Sequence, residues 1–67
     1  MAAMSTTSAE ISSMAATVEE LTRRLGPIAD TYGRSHRDDL VSEVHEVERT
    51  LNGALRRLNR LATASGA

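Results

Sequence analysis

The chain has 67 residues, no cysteine and a formal net charge of −1 from eight basic and nine acidic residues. Without cysteine, disulfides and thiolate metal sites are unavailable; the near-even charge balance gives no electrostatic reason for a nucleic-acid backbone as the main partner, and no stretch approaches the roughly 18 apolar residues of a membrane span. With Tyr32 the sole aromatic, a core must come from Leu, Val, Ile, Met and Ala, and chains this small bury only about 60% of their unfolded surface.

Residues 1–7 carry neither a basic n-region nor an apolar h-region. They are expected to form a flexible N-terminus, not a secretory signal, and the expected location is cytoplasmic. A first helix is expected over residues 8–32, with Ser8 as its cap and Glu10 in its first turn. Along it Ile11, Met14, Val18, Leu21, Leu25, Ile28 and Tyr32 recur at alternating spacings of three and four. That is the heptad stripe of helices packing on helices. Gly26-Pro27 interrupts the helix chemically, because proline has no N–H and crowds the preceding turn. The stripe stays in phase across it, so a kink, or a short break with a final turn to Tyr32, is expected there.

Gly33 is placed to end this helix as a left-handed residue, and residues 33–36 are expected to form the turn. Ser35-His36-Arg37-Asp38 matches a capping box, with His36 a turn residue. The second helix is expected over residues 37–62, with Leu40, Val44, Val47, Leu51, Ala54, Leu58 and Leu61 as its stripe. Gly53 costs this helix about 1 kcal/mol against alanine; with Thr50 and Ala54 it makes a small-residue spot. Residues 63–67 are expected to be a flexible C-terminus. A connection this short forces the two helices antiparallel and adjacent.

A second column lies beside each stripe: Ala15, Thr22 and Ala29 in the first helix, and Val41, Leu55 and Ala62, interrupted by Glu48, in the second. An apolar face of that width suits a bundle of three or four helices. Shifting the chain by 33 residues places Glu10, Thr17, Arg23, Arg24, Leu25 and Ala29 on Glu43, Thr50, Arg56, Arg57, Leu58 and Ala62. Shared heptad bias accounts for much of this match, and a duplication is the alternative. The first half of the second helix is acidic and the second half basic, as the helix dipole favours; head-to-tail copies would bring opposite charges together.

Chemistry-bearing motifs are scarce. His45 sits in the run Glu43-Val44-His45-Glu46-Val47-Glu48. A di-iron bundle needs an inward Glu three residues before its His; Ser42 holds that place, and His45 with Glu48 has the order reversed. A solvated acidic face is the plainer reading. Arg56, Arg57 and Arg60 form a patch without interleaved aromatics, a weak nucleic-acid signal. No Gly-x-Ser-x-Gly elbow or glycine-rich phosphate loop exists, so no catalytic residue, metal ligand or cofactor is assigned and an enzyme is not expected.

The sequence thus predicts an all-α, antiparallel two-helix hairpin pairing into a homodimeric four-helix bundle. The expected function is a small non-enzymatic protein–protein interaction or oligomerisation module, an adaptor or regulator whose partner is itself or another helical protein. Ile11, Met14, Val18, Leu21, Leu25, Val44, Val47, Leu51, Leu58 and Leu61 are assigned to the interface. The alternatives are a metal-binding bundle using His45 and its glutamates, and a weak nucleic-acid-associated regulator using Arg56 to Arg60.

Overall fold

The computed structural model describes the backbone of residues 2–66 and the side chains of residues 6–65. The expected flexible ends at residues 1–7 and 63–67 fall partly outside that range. Two helices, α1 (Ala2–Arg34) and α2 (Asp38–Gly66), pack against each other as a hairpin. Both are longer than the sequence signals suggest. α1 runs through Ser8 without using it as a cap, and the Ser8 hydroxyl instead donates to the Ala62 carbonyl at 2.9 Å, joining the two helices at the open end of the hairpin.

α1 also continues through Gly26-Pro27 as one helix. Proline deletes a single backbone hydrogen bond, and the packed stripe on either side holds the turns together across it. Four threonines return their hydroxyls to the carbonyl four residues back: Thr17 to Ser13, Thr22 to Val18, Thr31 to Pro27 and Thr63 to Asn59. That bond lets Thr22 sit half-buried at the helix interface without an unmet polar group.

The turn is built differently from its sequence signals. Gly33 lies inside α1, and the left-handed residue is His36, with φ of 59°. Arg37 N–H donates to the Tyr32 carbonyl at 2.9 Å and His36 N–H to the Gly33 carbonyl at 3.1 Å. This paired pattern is a Schellman motif, with His36 in the position usually held by glycine. The Ser35 hydroxyl donates backward to Thr31, so it does not cap α2. The Arg37 carbonyl accepts from Leu40 and Val41 N–H, which makes Arg37 the N-cap residue. The Arg37 guanidinium clasps the Asp39 carboxylate through two bonds, at 3.1 and 3.0 Å. That clasp, helped by the Leu40 N–H at the helix start, holds the Asp39 carboxyl below its ordinary value.

Residue pairs fix the antiparallel register. Ser8 meets Ala62, Ala15 and Leu55 line one depression, and Ala29 and Val41 line another. Each step of seven on α1 matches a step of seven back on α2, which sets Thr22 against Glu48. In heptad terms these are the a positions. The d positions are Ile11, Val18, Leu25 and Tyr32 on α1, and Val44, Leu51, Leu58 and Ser65 on α2. The a column of α1 is Ser, Ala, Thr, Ala: small residues that let α2 approach closely, with its larger Val41 and Leu55 opposite. The hairpin seam is thus the second column together with alternate members of the main stripe.

The result is a single layer with Cα extents of 53 × 14 × 9 Å. Its radius of gyration is 15.6 Å, against about 11 Å for a compact domain of this length. Its core among the described residues is Ala15, Ala29, Val44 and Ala62, and no large side chain is fully buried.

Candidate interaction surface

The remaining members of the stripe fall at the g positions, Met14, Leu21 and Ile28 on α1 and Leu40, Val47, Ala54 and Leu61 on α2. In an antiparallel pair the g positions of both helices lie on one side of the seam and the e positions on the other. The depressions on this hairpin follow that rule. Ser12 and Glu19 of α1 share one with Asn59 of α2, and Gly33 shares another with His45; all five are e positions. The e face is therefore polar, and the opposite g face carries the apolar column.

Met14, Leu21, Ile28, Val47 and Leu61 are large hydrophobic residues left between 40% and 57% exposed. Together with the half-buried d residues behind them they form a continuous apolar strip along the ribbon. A compact protein of 7.2 kDa exposes about 4,100 Å²; this chain exposes 4998 Å². The excess of roughly 900 Å² reflects the one-layer ribbon shape.

The ten interface positions divide accordingly. Met14, Leu21, Val47 and Leu61 stand on the open face, Ile11, Val18, Leu25, Leu51 and Leu58 are half-buried in the seam, and Val44 is buried. Ile28, outside those ten, belongs to the open column; its spacing of seven from Leu21 is the signal that places it there.

The polar candidates do not converge. Glu43, His45, Glu46 and Glu48 occupy c, e, f and a positions, four different directions around α2. Among the described residues no group of three or more His, Asp or Glu is placed to hold a metal ion. Glu46 is paired with Arg49 at 3.3 Å, and His45 lies on a shallow surface beside both. Glu20 and Glu19 hold Arg23 on the exposed side of α1, and these contacts keep its guanidinium above its ordinary value, the Glu20 hydrogen bond contributing most. Arg56, Arg57 and Arg60 are all exposed, on three different heptad positions, with Arg57 flanking the open face. Among the described residues no helix is long and apolar enough to cross a membrane.

Fold and surface define a helical hairpin with one apolar and one polar face. No family model matches the chain, and no curated protein or solved structure is significantly similar to it.

Proposed function

We propose that this protein is a non-enzymatic protein–protein interaction module that self-associates through its g face into a homodimeric four-helix bundle. The observation that carries the reading is the open column Met14, Leu21, Ile28, Val47 and Leu61 on one side of a one-layer ribbon. A column of large exposed apolar side chains on one face supports the reading of an interaction surface. A second hairpin laid on it supplies the missing layer and makes the d residues core. Twofold pairing is the commonest way for one surface to cover itself. An adaptor or regulatory role follows from the charged outer faces, which stay available to further partners.

Sedimentation equilibrium over a hundredfold range of concentration tests the proposal. A mass of two chains is expected, falling toward one on dilution together with loss of helical signal. A folded single copy at every concentration overturns it.

A further inference from the structure

The c positions border the open face on its outer sides, next to the g column. On α1 they read Glu10, Thr17, Arg24 and then the uncharged Thr31; on α2 they read Glu43, Thr50, Arg57 and then the uncharged Ala64. Each step of seven spans about 10.5 Å of helix, so each acid stands about 21 Å from its arginine with a threonine midway. All eight residues are exposed. Among the described residues, Glu10, Arg24, Glu43 and Arg57 take part in no ion pair or side-chain hydrogen bond, whereas Arg23, Arg37 and Arg49 are each paired on other faces.

We infer that these two columns are the rims of the self-association surface and that they select a second copy of this chain, stacked face to face with antiparallel neighbours. The inference rests on the self-association proposed above and adds what orients it. A column reading acid, neutral, base along one helix reads base, neutral, acid along an antiparallel neighbour, so it is its own complement. Two twofold axes can lay one g face on another. One sets α1 on the partner's α1, the other sets α1 on the partner's α2. Because both columns carry the same order, either axis places Glu10 and Glu43 opposite arginines and the threonines near one another at the middle. Parallel stacking sets acid on acid and arginine on arginine. Rim charges of this kind discriminate between partners more than they add affinity.

The test uses the complete chain, unaltered and with charges exchanged. Glu10→Arg with Glu43→Arg makes both columns uniformly basic at their charged positions, and its dimer is expected to dissociate about tenfold or more readily at low salt. Adding Arg24→Glu and Arg57→Glu restores self-complementary columns in reversed order, with the original net charge. That fourfold variant is expected to dimerise like the unaltered chain yet to avoid it. Native mass spectrometry of the two, refolded together at low ionic strength, should show mixed dimers at about one-tenth of the statistical share or less. Mixed dimers at the statistical share, or a uniformly basic variant that dimerises undiminished, overturn the inference while leaving self-association standing. A single-copy mass for the unaltered chain overturns both.

Discussion

At the scale of single residues, three positions depart from what their elements favour, and each gives a measurable stability change. His36 adopts a left-handed backbone, which costs a side-chain-bearing residue about 1 kcal/mol or more. His36→Gly should raise the melting temperature by roughly 4–8 °C; an unchanged or lower melting point would show that the turn does not hold this conformation. Gly26 and Gly53 are helical residues. A methyl group at Gly53 would meet only the Arg56 guanidinium, at 3.9 Å, so Gly53→Ala should stabilise by about 1 kcal/mol in chemical denaturation. Gly26 directly precedes Pro27, whose ring crowds a Cβ on the residue before it in a helix, so Gly26→Ala should gain less than Gly53→Ala. Asp39 gives a pH dependence of known sign. Its carboxyl sits below the ordinary value of 3.8, so its contribution is present above that pH and is lost as pH falls through the lowered value. Asp39→Asn should flatten the helicity loss of acid titration in that range, and an unchanged titration curve would argue against the Arg37 clasp.

Three other residues show how far local signals reach. Gly33, Ser8 and Ser35 all carry the right chemistry for helix ends, yet none is used so in the structure. Caps are worth on the order of 1 kcal/mol, and each of these residues has another use: the Ser8 hydroxyl bonds across to Ala62, the Ser35 hydroxyl bonds back to Thr31, and α1 ends one turn later in the motif closed by His36 and Arg37. At the proline, one lost hydrogen bond does not end a helix whose seam residues pack on both sides of it, Thr22 and Leu25 before and Ala29 and Tyr32 after.

At the scale of elements, the seam between α1 and α2 has one flaw. Glu48 is an a position, half-buried, set by the register opposite Thr22 and joined by no ion pair among the described residues. Glu48→Met keeps the length of the side chain and removes the charge from the seam. It should stabilise the helix pair by about 1 kcal/mol, read as a higher denaturation midpoint with an unchanged slope. A lower midpoint would mean that the carboxylate makes a favourable contact in the assembled protein. Leu51 stands one layer away in the d column. Leu51→Asp should abolish folding or association, and a variant that stayed helical and dimeric would show the register to be wrong.

At the scale of the whole molecule, the ribbon shape is the dominant fact. One layer of two helices does not enclose its larger side chains, and on the proposed reading stability depends on what covers the g face. If a second copy covers it, the melting temperature must rise with protein concentration. Leu21→Asp with Leu61→Asp places charges on the open column and leaves the hairpin seam untouched. This double variant should shift the dimer dissociation constant upward by a hundredfold or more, about 3 kcal/mol. A variant that stays dimeric would place the association elsewhere on the chain.

The sequence by itself determined that the chain is helical, that it turns once near residue 35, and that its apolar surface is too wide for two helices to hide. These are properties of spacing and loop length, and periodicity of three and four is a local code that any reader of the chain can follow. Only the tertiary structure decided which part of the wide stripe closes the hairpin and which part stays open. That choice turns on size: Ser8, Ala15, Thr22 and Ala29 are small enough for α2 to approach closely, so the seam forms over them and over the d residues. Met14, Leu21 and Ile28 are left facing outward with Val47 and Leu61. Spacing makes all these positions equivalent; the depth to which one helix can settle on another does not.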